Sequence, residues 1–149
     1  MKKICFDTSS LLALYVLEHP NHSACADYYL DNIDTSEFFM ATHSIAEMFR
    51  HLTSNRAYFT YSPEIASQLI QKIVPKYFTP VSLHDSDYLS VITQMKEFSL
   101  HGAIIYDALI YDALIAKAAE KTGCDILVTY NISDFHRVWP ITSADLVEP

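Results

Sequence analysis

Glycine is scarce in this sequence, with only two residues of this type in 149, where an average chain of the same length holds about ten. The phosphate-binding loops of P-loop and dinucleotide-binding proteins depend on several closely spaced glycines, and neither motif occurs here. The scarcity therefore argues against both of these classes of nucleotide-binding site.

Cysteines are few, odd in number and widely spaced, at Cys5, Cys25 and Cys124. Without a CxxC pair, they predict buried thiols in a reducing compartment, not a disulfide framework or a zinc site. No apolar run approaches the roughly 20 residues of a membrane span, and Asp7 interrupts the first apolar residues too early for a signal peptide. We expect a cytoplasmic protein with no membrane association.

Positive charge is also in short supply, with ten Lys and Arg against eighteen Asp and Glu and a net charge of -8. An acidic chain of this kind is not typical of proteins that bind DNA or membranes electrostatically. If the protein acts on nucleic acid, something other than its net charge must bridge to phosphate. A divalent metal ion could form that bridge.

Short apolar runs alternate with helical patterns along the whole chain. The sequence predicts strands over 4–6, 38–40, 80–83, 126–128 and 141–142, and helices over 11–17, 21–30, 44–53, 62–75, 85–98 and within 103–119, the last of them ended by Lys121 and Gly123. This alternation predicts an α/β fold with a mostly parallel sheet. Half of the residues are hydrophobic and no linker is visible, so we expect one domain spanning residues 1–149.

Two acids follow the first two predicted strands. Asp7 directly follows the first strand, at the carboxyl end where parallel sheets bind ligands, although Asp7, Thr8 or Ser9 could simply cap the next helix. Glu47 lies away from the apolar stripe of its helix. Its alternative is also local, because Ser44 and Glu47 have the spacing of a capping box.

Further acids lie in the second half of the chain, where the pentapeptide Tyr-Asp-Ala-Leu-Ile occurs twice in succession. Asp107 and Asp112 occupy equivalent positions in the two copies, and five residues rotate a helix by a net ~140°. The two aspartates therefore cannot face one site on a continuous helix. Asn131 and Asp134 follow the strand over 126–128, where they could equally form a helix cap.

These acids together predict a metal site. Two carboxylates at 4 Å repel each other by about 4 kcal/mol at an effective dielectric constant of ~20, so a group of them favours a bound cation. Mg²⁺ or Mn²⁺ suits ligands that are all oxygen atoms. Such an ion polarises phosphoryl groups and generates hydroxide near neutral pH, which is the chemistry of phosphodiester hydrolysis.

Four segments of the chain, 6–11, 41–47, 111–116 and 127–131, resemble in order and spacing the motifs of the PIN domain. Within that family they resemble the VapC-type toxin ribonucleases of bacterial toxin–antitoxin pairs. The resemblance implies a three-layer α/β/α fold with a central parallel sheet. It also implies an acidic pocket that binds Mg²⁺ or Mn²⁺ and cuts RNA, a cognate antitoxin that blocks this pocket, and a homodimer.

The resemblance also implies roles for individual residues. The three recurrent acids of the family match Asp7, Glu47 and Asp112, with Asp107 as the alternative to Asp112. Asp112 is favoured because the spacing onward to Gly123 and Asn131 fits better. A fourth acidic role falls to Asp134, with Asn131 at the position where members carry Asp or Asn. Hydrogen bonds from Thr8, Ser9 and Thr129 would orient the carboxylates.

Two other functions remain open at this stage. The pentapeptide duplicated within one helix, and the asparagine instead of aspartate at position 131, favour a catalytically impaired PIN-like module that binds RNA or protein. A phosphatase similar to haloacid dehalogenases would use Asp7 as its nucleophile, but that class carries a second Asp where this chain has Ser9. Arg50, His51 and Arg137 could contact RNA phosphate, although exposed helix faces explain them equally well. His43, beside Glu47, could face the site, but a surface position is the stronger expectation.

Overall fold

The computed structural model describes residues 1–55, 59–100, 107–138 and 144–149, apart from the side chains of residues 100, 107 and 108. Its strands are β1 (Lys2–Phe6), β2 (Ser36–Ala41), β3 (Thr79–Val81), β4 (Ile126–Val128) and β5 (Asp145–Val147). Its helices are α1 (Thr8–Tyr15), α2 (His22–Asn32), α3 (Thr42–Thr53), α4 (Pro63–Gln68), α5 (Asp85–Leu100), α6 (Asp107–Thr122) and α7 (Ile132–Val138).

The five strands form one parallel sheet in the order β3-β2-β1-β4-β5. The chain builds outward from β1 through β2 and β3, and then crosses to the other side of β1 to add β4 and β5. Phe6, at the end of β1, is therefore in register with Met40 of β2 and Val128 of β4. The predicted α/β fold with a parallel sheet is confirmed, and β1 is the point at which the strand order reverses.

Helices cover both faces of the sheet. Alternate residues of a strand point to opposite faces, and the strands carry apolar residues on both, so both faces must be buried. Ile4 and Phe6 of β1 belong to a core formed with α1, α2, α3 and α4, and the Phe6 ring lies 5.2 Å from that of Phe78. Cys5, between them, belongs to a second core formed with α5, α6 and α7. Ile4, Cys5 and Phe6 are thus buried on both faces of the sheet, as the apolar run over 4–6 predicted.

Several element boundaries differ from those that the sequence predicts. The helix predicted over 62–75 is divided into α4, a π-helical turn over Leu69–Ile73 and a 3-10 turn over Val74–Lys76. The strand predicted over 141–142 lies outside the described residues, whereas β5 begins at Asp145. Across the part of the chain that the structure describes, no helix is both long and apolar enough to span a bilayer.

Helix α6 ends as the sequence predicted, at Gly123, whose φ of 67° lies in the left-handed region. The Gly123 N–H donates to the carbonyl of Glu120 at 2.9 Å, and the Cys124 N–H donates to the carbonyl of Ala119 at 3.0 Å. This pair of hydrogen bonds is a Schellman motif, which satisfies the last carbonyls of the helix. The turn leads the chain directly into β4.

Candidate functional site

A cleft of about 590 Å³ lies at the carboxyl end of β1, and three acids from three separate elements line it. Asp7 immediately follows β1, Glu47 lies in the second turn of α3, and Asp112 lies in the second turn of α6. Ligands of open α/β sheets bind at this edge, where the strand order reverses. The cleft is further lined by Thr8, Ser9, Leu12, His19, Arg50, His51, Phe59, Tyr111, Ile115 and Asn131.

Asp7 is buried and held by hydrogen bonds to both of its carboxylate oxygens. Its Oδ1 accepts from the backbone N–H of Ser10 at 2.8 Å, which makes Asp7 the N-cap of α1. Its Oδ2 accepts from the Thr129 hydroxyl at 2.7 Å, and the Ser9 hydroxyl lies within 2.9 Å of both oxygens. Burial raises the pKa of Asp7, and these hydrogen bonds act in the opposite direction.

Glu47 is oriented by a contact from another helix. The Thr8 hydroxyl, at the start of α1, lies 2.5 Å from Glu47 Oε2 and 3.0 Å from the Ser44 hydroxyl. The alternative role for Glu47 in a capping box is wrong, because α3 begins at Thr42, its N-cap position is Ala41, and Ser44 already lies inside the helix. The carboxylate of Glu47 is therefore held by α1 through its Oε2 and does not cap its own helix.

Ionisation of Asp112 is opposed both by burial and by neighbouring negative charge. Burial, followed by the negative charges of Asp7, Asp134 and Glu47, raises its pKa to about 8, although a hydrogen bond from Asn131 lowers it. These interactions show that four carboxylates lie within electrostatic range of each other. The side chain of Asp107 lies outside the described residues, but its backbone begins α6, so the helix is continuous from 107 through 112.

Asn131 connects the two remaining acids. Its Nδ2 group donates to Asp112 Oδ2 at 3.1 Å and to Asp134 Oδ2 at 3.2 Å. Its own backbone N–H donates to the Thr129 hydroxyl at 2.9 Å. Asp134, on the first turn of α7, is not among the described residues that line the cleft. Asn131, which does line the cleft, therefore connects Asp134 to Asp112.

The donor set fits a hard divalent cation better than any softer metal. Among the described residues, no three His, Cys, Asp or Glu side chains lie close enough together to coordinate one ion directly. Mg²⁺ satisfies this arrangement, because it normally keeps several of its waters and binds proteins through one or two carboxylates. Burial raises the pKa of Asp7, burial with neighbouring negative charge raises that of Asp112, and a bound cation would favour the ionised form of both.

Four lining residues with polar side chains were not assigned to the site from sequence, namely His19, Arg50, His51 and Tyr111, although Arg50 and His51 had been considered as phosphate contacts. Arg50 and His51 follow Glu47 by three and four residues on α3, so the helical repeat carried a usable signal. His19 lies in a loop and had no such signal. His43, expected on the surface, is half-buried, with its ring 4.5 Å from that of Tyr111 and its Nε2 3.9 Å from Glu47 Oε1.

Solved structures with a similar fold belong to toxin–antitoxin systems. The chain matches a structure of VapBC2 from Rickettsia felis bound to promoter DNA, with a TM-score of 0.71, 18% identity and coverage of 99% of this chain and 98% of that chain. It matches DNA-bound VapBC from Salmonella typhimurium with a TM-score of 0.69, 16% identity and coverage of 99% and 98%.

A third similar structure is VapC20 from Mycobacterium tuberculosis, described as a toxin that cleaves the sarcin–ricin loop. Its TM-score is 0.61 at 14% identity, with 83% of this chain and 86% of that chain covered. At these identities the likeness shows the fold alone. A comparison with curated protein sequences finds no match.

The family itself is shown by sequence. The model of the PIN domain matches residues 4–139, a range that begins within β1, extends through α7 and contains every acid of the cleft. The four segments that resembled this family lie within the matched range. The chain therefore belongs to the PIN domain family.

Proposed function

We propose that this protein is a metal-dependent endoribonuclease, the toxin component of a toxin–antitoxin pair. The observation that carries the proposal is the convergence of Asp7, Glu47 and Asp112, from three separate elements, on one cleft at the carboxyl end of β1. Carboxylates are buried together at such a position only when something offsets their repulsion. A divalent cation supplies that compensation, and it also attracts the negatively charged phosphate of a nucleic acid.

In this proposal Asp7, Glu47 and Asp112 hold Mg²⁺ or Mn²⁺, partly through water. When bound, the ion polarises the phosphoryl group and supplies a nucleophilic hydroxide near neutral pH. Asn131, together with Asp134, places the attacking water or a second ion. Their positions are supported by the hydrogen bonds that Asn131 donates to both Asp112 and Asp134.

Three hydroxyl groups orient the metal-holding carboxylates. Thr129 and Ser9 donate to Asp7, and Thr8 donates to Glu47. Two of these hydroxyls are themselves fixed, since Thr129 accepts from the N–H of Asn131 and Ser9 accepts from the N–H of Tyr130. Such outer contacts keep ligand oxygens aimed at an ion and raise its affinity.

The partners of this chain follow from the same proposal. Two of the similar structures are VapBC assemblies, and VapC20 is described as an RNA-cleaving toxin. We accordingly expect an RNA substrate, a cognate antitoxin protein that covers the cleft, and a homodimer acting in the cytoplasm. We treat residues 1–149 as one domain in this role.

A second candidate function, a PIN-like module that binds RNA or protein without cutting it, is favoured by one specific contact. Asn131 donates an amide hydrogen to Asp112, whereas an aspartate at position 131 would offer a further ligand oxygen. The two candidates differ in one measurable property, which is metal-dependent hydrolysis of RNA.

The duplicated pentapeptide provides a matched pair of variants for that measurement. Asp112→Asn removes a charge from the cleft, and Asp107→Asn makes the same chemical change five residues earlier on the same helix. We expect Asp112→Asn to lower cleavage of a mixed-sequence RNA by more than about 100-fold, because losing a metal ligand costs more than losing an outer contact. Asp107→Asn should retain wild-type activity.

The control conditions are Mg²⁺, Mn²⁺ and an excess of EDTA, with circular dichroism to confirm that each variant is folded. Cleavage that persists in EDTA, or that survives Asp112→Asn, would contradict the proposed mechanism. No cleavage by the folded wild type in either metal would favour the binding module. Loss of activity in Asp107→Asn alone would transfer the third acidic role to Asp107.

A further inference from the structure

The cleft has a basic wall as well as an acidic floor. The acidic floor consists of Asp7, Glu47 and Asp112, and we define the basic wall as His19, Arg50 and His51, which line the same cleft. Arg50 is the only Lys or Arg among the described lining residues. In a chain of net charge -8, a guanidinium placed beside three carboxylates calls for a functional explanation.

Helix α3 fixes the spacing between the floor and the wall. Arg50 and His51 are three and four residues beyond Glu47, so all three lie on neighbouring positions of one helix face. The helical rise places them about 4.5–6 Å further along the axis. The wall therefore begins one helical turn away from the acid that helps to hold the ion.

The hydrogen bonds of the basic wall indicate which of its nitrogen atoms donate and which accept. Arg50 Nη2 lies 3.0 Å from His51 Nε2, and because a guanidinium only donates, His51 Nε2 accepts and its Nδ1 carries the proton. The backbone N–H of Asn21 donates to His19 Nδ1 at 3.1 Å. In the neutral His19 ring, the proton is therefore on Nε2. Arg50 has five N–H donors and gives one of them to His51, so it is the member of the wall suited to bind an anion in a bidentate manner.

We propose that the basic wall binds the phosphate adjacent to the one that is cleaved, with Arg50 as its principal donor. This inference rests on the proposed ribonuclease function. RNA is repelled by the net charge of the protein, so its backbone needs local positive charge in addition to the metal ion. The planar fork of arginine matches the oxygens of a phosphate and binds them in a bidentate manner. The substrate is then an RNA with at least one phosphodiester beyond the cleaved bond.

A structural role for Arg50 is distinguishable from this one. Arg50 and His51 lie in the last turn of α3, where positive charge also interacts favourably with the helix dipole. That role affects the melting temperature, but it does not affect the salt dependence of RNA binding. The two explanations therefore differ in what Arg50→Gln changes.

The first test measures binding without cleavage. A fluorescent single-stranded RNA is titrated by anisotropy with the full chain carrying Asp112→Asn, with and without Arg50→Gln, across a series of KCl concentrations. Removing one contact to a single strand should lower the slope of log K against log[salt] by about 0.7 and weaken binding roughly tenfold. Arg137→Gln, an exposed site on α7 outside the cleft lining, is the matched control and should leave the slope unchanged.

The second test uses the cleaving protein and substrate length. Arg50→Gln should raise KM for a trinucleotide or longer RNA without changing kcat, and should leave a dinucleotide with a single phosphodiester unaffected. Arg50→Lys retains the charge but loses the fork, so it should restore the salt slope and only part of the affinity. This variant also keeps the test informative if Arg50→Gln fails to fold.

The outcomes separate this inference from the proposed function. If the wild type cleaves RNA in Mg²⁺ but Arg50→Gln changes neither the salt slope nor KM, the inference is wrong and the ribonuclease proposal stands. If the wild type binds RNA through Arg50 but never cleaves it, the ribonuclease proposal is wrong and the phosphate site stands. A slope lowered equally by Arg137→Gln would place the phosphate contacts outside the cleft and overturn the inference.

Discussion

At the scale of single residues, Asp7 both caps α1 and lines the cleft, although the sequence presented these two positions as alternatives. Its Oδ1 caps α1 through the N–H of Ser10, while Oδ2 accepts from Thr129, 122 positions away in the chain. The local cap was predictable from sequence because it depends only on neighbouring residues. The contact from Thr129 was not, since it exists only once β4 lies beside β1.

Thr129 allows this orienting role to be tested. Thr129→Val keeps the shape of a fully buried side chain but removes the hydroxyl that donates to Asp7 and accepts from Asn131. We expect a roughly 10–100-fold higher Mg²⁺ concentration for half-maximal cleavage, measured by titrating Mg²⁺ into the RNA cleavage reaction.

The control for this prediction is Thr93→Val, which removes a hydroxyl that bonds only to the backbone of its own helix on the exposed side of α5. It should leave the Mg²⁺ requirement unchanged. Equal Mg²⁺ requirements for Thr129→Val and the wild type would mean that Asp7 holds its position without the hydroxyl. The folded state of both variants is checked by thermal unfolding, because Thr129→Val also leaves the N–H of Asn131 without this acceptor.

At the scale of helices and strands, the sequence predicted the features that depend on local pattern. It did not predict those that depend on contacts between residues distant in the chain. The apolar runs of β1, β2 and β4 and the end of α6 at Gly123 were predicted and are confirmed. The start of α3 was placed two residues late, at Ser44 instead of Thr42. That error created the false capping box, because Glu47 is held by Thr8 of another helix.

Strand β5 shows the same limit at the edge of the sheet. It is only three residues long, begins with Asp145 and is partly exposed, so its sequence carries no apolar pattern. Its pairing with β4 places it, with Leu127 opposite Leu146. An edge strand of this kind is specified by its neighbour rather than by its own composition.

The end of α6 makes a prediction about stability. No atom lies within 4 Å of a Cβ added at Gly123, so Gly123→Ala introduces backbone strain without a clash. The left-handed conformation costs an alanine about 1–2 kcal/mol, which should lower the melting temperature by roughly 2–8 °C in a protein of this size. Differential scanning calorimetry measures this change.

Gly123→Asn is the matched variant, since asparagine tolerates the left-handed region better than alanine. Its melting temperature should therefore fall by less than that of Gly123→Ala. An equal or larger fall for the asparagine variant would mean that the strained conformation is not the source of the cost. RNA cleavage at a temperature well below both transitions should be unaffected.

At the scale of the whole molecule, the acidic floor couples folding to pH. Burial raises the pKa of Asp7, and burial with neighbouring negative charge raises that of Asp112 to about 8. In the unfolded chain both groups lose their protons near pH 4. The folded, metal-free protein therefore binds more protons than the unfolded chain between about pH 4 and 8, and these groups make it less stable as pH rises through that range.

We expect the melting temperature in EDTA to fall between about pH 5 and pH 8, and added Mg²⁺ to raise it more at the higher pH because the ion binds the ionised carboxylates. Asp112→Asn should flatten the dependence on pH, since the amide does not titrate. The measurement is thermal unfolding by circular dichroism at both pH values. An unchanged pH dependence in Asp112→Asn would show that other groups cause it.

The order of the strands also has a consequence for how the protein is made. Asp7 leaves the ribosome before Thr129, which donates a hydrogen bond to it and follows 122 residues later, or roughly 6–24 seconds at 5–20 residues per second. Until β4 has been translated and has docked beside β1, the nascent chain has no complete cleft. A cell that produces this protein is therefore exposed to a finished cleft only after β4 has been translated.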